Sequence, residues 1–148
     1  MDEIKVGVSS TQYIVVNMGI EQYGIDIKYV DNIVRMQKIT RVPKAQKFFR
    51  GVINLRGEIV PIMSLRSKFE LDDDVITDKT RIIILKPDGQ EPIGIIVDQV
   101  KEVLSLPSDC IDKVQVDPSD EKSKYINAVG KYNSNLISIL NINGVFDI

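Results

Sequence analysis

A chain of 148 residues with 43% hydrophobic and 27% charged side chains has the balance of an ordinary folded domain, which excludes a disordered tail. The net charge of −2 and the lack of Trp argue against a general nucleic-acid binder, and the lack of His removes the commonest general base and metal ligand. The single cysteine, Cys110, can build neither a disulfide framework nor an ordinary zinc site and is expected to be a small packed side chain.

The chain opens Met1-Asp2-Glu3-Ile4-Lys5, acidic and without the apolar stretch of a secretion signal. No apolar run approaches the ~20 residues of a spanning helix, so a cytoplasmic protein without direct membrane insertion is expected. Strand signals then dominate. Tyr13–Val16, Gly24–Ile27, Glu58–Ile62, Arg81–Leu85, Ile93–Val97 and Leu136–Leu140 are short, rich in β-branched residues and bounded by Gly, Asn, Asp or Pro. Gly24 and Gly94 lie inside these patterns and read as bulges or tight bends. Between the second and third strands, Thr40 to Arg50 is the best helix candidate. Pro43 suits a first turn, and Gly51 suits a left-handed C-terminal cap. Glu70 to Asp78, with three consecutive aspartates, reads as a solvated loop between halves. Ser108 to Lys113 and Ser119 to Tyr125 each suit a helical turn.

A weak repeat crosses that loop. Thr11–Val16 matches Thr80–Leu85, Gly24–Ile27 matches Gly94–Val97, and Ile59–Leu65 matches Leu136–Ile142, at offsets of 69, 70 and 77 residues in one order. Three ordered matches predict an all-β fold of two similar small barrels, the first over about 15–70 and the second over about 80–140.

Nothing here resembles an enzyme. With no His there is no Ser-His or Cys-His nucleophile pair, and Asp72, Asp73 and Asp74 sit in a loop with no apolar pocket to raise a pKa. The spacing of Gly51 and Gly57 is not that of a phosphate loop. The seven basic residues from Arg35 to Arg56, with no acid between Asn32 and Gly57, admit two readings. One is an RNA-binding patch, which a salt-dependent affinity would reveal. The other, which we prefer, is a solvated face whose asymmetry orients protein partners. Arg56, between Leu55 and Gly57 and just before an apolar strand, reads as a partly buried turn residue. Its guanidinium would clamp nearby acceptors, shape a partner groove, or both.

The run from Phe49 to Arg66, FRGVINLRGEIVPIMSLR, resembles the hallmark of the CheW family. Tyr23–Val30 and Ile93–Leu104 resemble the family's early and later strand segments, and the similarity runs over nearly the whole chain. The resemblance implies two intertwined five-stranded, SH3-like barrels with short helices, in which terminal segments cross between the halves. It implies no catalysis and no cofactor. It implies an adaptor of bacterial chemotaxis that couples receptors to the histidine kinase CheA at membrane receptor arrays. One surface would meet the regulatory domain of CheA, and a groove between the barrels would take the helical cytoplasmic tip of a receptor. Partner-binding roles are implied at Val30, Asn32, Gly51, Asn54, Arg56, Gly57, Asp98 and Val103. Two positions depart from the family pattern. Asn32 stands where an acid often pairs with the arginine matching Arg56, and Ser64 stands where Asp is favoured. Asn32 can accept a hydrogen bond but cannot form that ion pair.

Overall fold

A computed structural model describes residues 9–43, 46–115 and 117–146. The β-branched runs form strands, and where an expected strand is flanked by further apolar or paired residues it is longer than expected. The first half holds β1 (Ser10–Met18), β2 (Glu21–Asp26), β3 (Val30–Arg35), β4 (Phe49–Leu55) and β5 (Glu58–Ser64), followed by the short helix α1 (Leu65–Lys68). The second half holds β6 (Arg81–Leu85), β7 (Ile93–Val97), β8 (Gln99–Pro107), β9 (Ile111–Lys113), β10 (Ile126–Tyr132) and β11 (Asn135–Leu140), followed by α2 (Ile142–Val145). Single 3-10 turns at Ser108–Cys110 and Glu121–Tyr125 lie where helical turns are expected, and Cys110 is half-buried in the first.

The strands form two sheets in equivalent orders. One runs β8-β1-β2-β11-β10-β9, the other β3-β6-β7-β5-β4. Position for position, β1 matches β6, β2 matches β7, and β11 matches β5. Each sheet is thus an SH3-like subdomain, and the three-residue β9 makes the first sheet six-stranded rather than five. Neither sheet comes from one half of the chain. The β1–β2 hairpin pairs with β8 and β11 of the second half, and the β6–β7 hairpin pairs with β3 and β5 of the first. The ranges 15–70 and 80–140 therefore do not bound the sheets, because the halves exchange their central hairpins.

Burial explains the exchange. Ile14, Val16, Met18 and Ile25 of one sheet meet Met63, Ile83, Leu85, Ile95 and Val97 of the other in a shared central cluster, closed by Leu65, Phe69, Ile142 and Phe146. The alternate residues of the same strands fill each sheet's own cluster. Tyr13 and Val15 pack with Leu104, Leu106 and Ile139, while Ile82 and Ile84 pack with Ile53, Val60 and Ile62. Strands buried on both faces read as continuous apolar runs rather than alternating ones. Gly24 and Gly94 are not bulges. Each lies beside an isoleucine of the parallel neighbour, Ile139 and Ile62 respectively, where a Cβ would crowd the isoleucine's side chain.

The helices repeat the symmetry. Ser64 caps α1 by accepting the Ser67 N–H at 3.1 Å, and Asn141 caps α2 by accepting the Gly144 N–H at 3.3 Å. Serine serves as well as aspartate at such a cap. Each helix also clasps the other sheet. Arg66 of α1 binds Asp98 through Nε at 2.9 Å and Nη2 at 2.5 Å, and Asp98 accepts the N–H of Gly19, in the β1–β2 turn, at 2.8 Å. Asn143 of α2 exchanges two 3.1 Å hydrogen bonds with Asp88 in the β6–β7 turn.

No helix spans Thr40 to Arg50. Lys44 and Ala45 lie outside the described residues, but Thr40 bridges Val52 with hydrogen bonds of 2.9 and 2.8 Å, and Phe49 already belongs to β4. Gly51 is therefore no helix cap. It lies inside β4 beside a bulge, at φ +133°, and a Cβ there would come within 2.1 Å of the Thr40 carbonyl oxygen.

Two outcomes follow from this packing. Gly51→Ala should cost at least ~2 kcal/mol in urea unfolding, because both φ and the Thr40 backbone oppose a side chain. The hydrogen bond from Arg66, helped by the Gly19 N–H, holds the Asp98 carboxyl below its usual range. A depressed folded-state pKa gives stability that is present above the unfolded value and lost as pH falls through the folded one. Asp98→Asn should thus cost about 1–3 kcal/mol at pH 7. The gap to the unsubstituted chain should shrink below about pH 4. A gap of constant size down to pH 2 would remove the clasp as its cause.

Candidate interaction surface

The candidate residues fall into three places, and each is set by local backbone. Val30 and Asn32 lie on β3, and Val103 lies on β8. These strands are the edges of their two sheets, so among the described strands each has one side without a neighbour. Val30 and its repeat partner Val100 are half-buried against the central cluster. Ile33 and Val103, also repeat partners, stand opposite the core residues Ile83 and Ile14 but are 38% and 53% exposed. Both edges thus carry an aliphatic pair that begins in the shared core and ends in solvent. Ile33 is the member that sequence reasoning passed over, and the 70-residue offset relating it to Val103 was the available signal.

Asn54, Arg56 and Gly57 form the β4–β5 hairpin. Arg56 and Gly57 have φ of 53° and 85°, the positive pair that marks a type I′ two-residue turn. The Asn54 carboxamide oxygen accepts the Gly57 N–H at 3.0 Å and holds the turn. Arg56 is exposed at the tip and makes no hydrogen bond or ion pair with the described residues. The expectation of a partly buried clamp is corrected. The pairing of β4 with β5 runs out to Leu55 and Glu58, so the two-residue turn carries Arg56 at the tip, away from the core. Nor does Asn32 reach it, since the Asn32 side chain accepts the neighbouring Ile33 N–H at 2.8 Å. Beside the hairpin, Phe49, Ile59 and Pro61 face Glu91 and Pro92 across a cavity of about 500 Å³. Ile59 and its repeat partner Leu136 are both 64% exposed, so each sheet presents one such aliphatic residue beside its I′-like turn.

Gly51 and Asp98 are the third group. Both are held by contacts within the structure, Gly51 buried against Thr40 and Asp98 half-buried in the clasp with Arg66 and Gly19. Asp98 directly precedes the edge strand β8, and Gly51 lies on β4, which leads into the hairpin, so both support those surfaces from behind. The clasp itself joins residues far apart in sequence, and no local pattern marked it.

The basic run is not a bare cationic face. Arg50 lies 3.8 Å from Asp73 and 3.6 Å from Asp74. Asp74 is not solvated as expected, because its side chain is only 9% exposed under the folded-back loop. This partial neutralisation weakens the RNA-binding reading. Among the described residues no three His, Cys, Asp or Glu side chains are placed to hold a metal, and no helix is long and apolar enough to cross a membrane.

Comparison with known proteins gives one answer. The CheW-like domain matches residues 12–148. The chemotaxis protein CheW of Bacillus subtilis is 34% identical over 145 residues, covering 98% of this chain and 90% of that protein. CheW of Klebsiella aerogenes is 34% identical over 136 residues, covering 88% and 78%. The crystal structure of the scaffolding protein TtCheW from Thermoanaerobacter tengcongensis superposes with a TM-score of 0.83 at 28% identity, covering 95% of this chain and 94% of that one. The exchanged hairpins and paired barrels thus have a counterpart in a solved scaffold, and the chain belongs to the CheW-like family of non-catalytic chemotaxis adaptors.

Proposed function

We propose that this adaptor couples chemoreceptors to the histidine kinase CheA, binding a helical receptor tip along its exposed sheet edges and the regulatory domain of the kinase at a second surface. It works in the cytoplasm and reaches receptor arrays through these partners. The observation that carries the reading is the pair of half-exposed aliphatic edges, Val30 with Ile33 and Val100 with Val103, rooted in one core. A helix presenting an apolar stripe covers such aliphatics and gains roughly 25 cal/mol for each Å² removed from water. Individually modest contacts gain strength when many copies are arrayed.

Mixing the chain with CheA and a receptor tip should yield a ternary complex that co-sediments. Association with neither partner would sink the proposal. Val103→Glu should weaken receptor-tip binding about 10-fold or more, because a charge at that edge must be desolvated under the helix. Its melting temperature should stay close to that of the parent, since Val103 is already half in solvent. Arg56→Ala should leave unfolding free energy within about 0.5 kcal/mol of the parent, as at other surface sites. In the same variant, calorimetry should show weakened binding to one partner. The partner affected identifies the surface that the β4–β5 hairpin serves, and unchanged affinity for both would take Arg56 out of the binding site.

A further inference from the structure

The edge-strand surface leaves Arg50 and its neighbours unused. Its Nη1 donates to the Lys47 carbonyl oxygen at 3.0 Å. Its contacts with Asp73 and Asp74, at 3.8 and 3.6 Å, are too long to be hydrogen bonds. Both carboxylate oxygens of Asp74 are buried and have no hydrogen-bond donor among the described residues. A buried carboxylate without donors forfeits the bonds that water would give it. The acidic loop therefore rests on Arg50 by charge alone, in a geometry that leaves its strongest bonds unmade.

Two openings meet at this contact. One, of about 470 Å³, is lined by Arg41, Lys47, Phe49 and Arg50 with Asp73 and Asp74 at its acidic side. The other, of about 240 Å³, shares Arg41, Arg50 and Asp74 and is floored by Met36, Ile39, Ile76 and Ile96. Arg41 and Arg50 thus stand over an aliphatic floor, Lys47 lines the larger opening beside them, and two carboxylates of the same chain lie against these cations. We propose that the Arg41–Lys47–Arg50 pocket is a docking site for an acidic, partly aliphatic peptide segment of a partner protein, and that Asp73 and Asp74 hold it closed until such a segment displaces them. A carboxylate arriving in the fork of Arg50 makes the paired hydrogen bonds that Asp74 does not. Asp73, 95% exposed, gives way at little cost. The site shares none of Val30, Ile33, Val100 and Val103, so receptor coupling at the edge strands stands or falls independently of it.

The test uses the full chain and a fluorescent nonapeptide copying residues 70–78, ELDDDVITD, as the acidic probe. The tethered loop competes with the probe at high effective concentration, so the unsubstituted chain should bind it weakly. If the pocket is closed nine-tenths of the time, the double variant Asp73→Asn/Asp74→Asn should bind about 10-fold tighter. Raising salt from about 0.05 to about 0.5 M should weaken that binding, and adding Arg50→Ala should abolish it. Asp73→Asn alone, at an exposed position, gives the same direction of change should the double variant melt early, and Arg41→Ala then replaces Arg50→Ala as the loss test. Equal affinity in the parent and the opened variants overturns the proposal. So does binding that survives loss of both arginines. Preferential capture of single-stranded RNA over the peptide, or a dimer of the parent that Asp73→Asn/Asp74→Asn dissolves, assigns the pocket to a nucleic acid or a second copy and overturns it equally.

Discussion

Everything in this fold depends on one apolar cluster being shared by two sheets. Ile14, Val16 and Ile25 cannot be buried without Ile83, Ile95 and Val97, and the reverse holds equally. Because the same strands also fill a second cluster on their other face, they have no solvent side to offer. Polar connections must then leave from the ends of the hairpins, and that is where both clasps lie. Arg66 with Asp98 secures the turn at Gly19, and Asn143 secures the turn at Asp88. The two clasps share a position in the repeat but not a chemistry. One is a partly buried ion pair and the other joins a neutral carboxamide to an exposed carboxylate and its backbone N–H, so salt acts unequally on the two ends of the molecule.

The surfaces that remain are consequences of the same arrangement. With the central hairpins largely enclosed, outer strands, hairpin tips and the loops between strands are left to meet a partner. β3 and β8 offer aliphatic edges, and the β4–β5 turn offers an exposed guanidinium held out by two positive-φ residues. Gly51 contributes indirectly. By admitting the Thr40 backbone against β4, it fixes the segment that carries Met36, Ile39 and Arg41 beside Arg50. The surfaces proposed for partners therefore owe their shape to backbone placement as much as to side-chain identity.

Much of this was readable from residue order, for physical reasons. β6 and β7 were bounded to the residue because doubly buried strands are unbroken β-branched runs ended by polar residues. The repeat pointed to paired barrels, and family resemblance supplied their intertwining. The misreadings share a cause, which is that local preference was overruled by distant pairing. Pro43 and Gly51 have the spacing of a helix start and stop, yet Thr40 finds a better partner in Val52. Arg56 sits beside apolar residues, yet the two-residue turn turns it outward. Gly19 and Asp98 are 79 residues apart, and no spacing rule connects them.

The exchanged hairpins also order events on the ribosome. The β1–β2 hairpin is synthesised early, but its sheet lacks β8 until residues 99–107 emerge and β11 until residues 135–140 do. The other sheet can be complete as soon as Val97 has left the exit tunnel. The nascent chain must therefore carry an exposed, strongly apolar hairpin through most of its own translation. Val15 and Val16, in the first strand of that hairpin, are among the first folded residues to be made and among the last to be enclosed in a finished molecule.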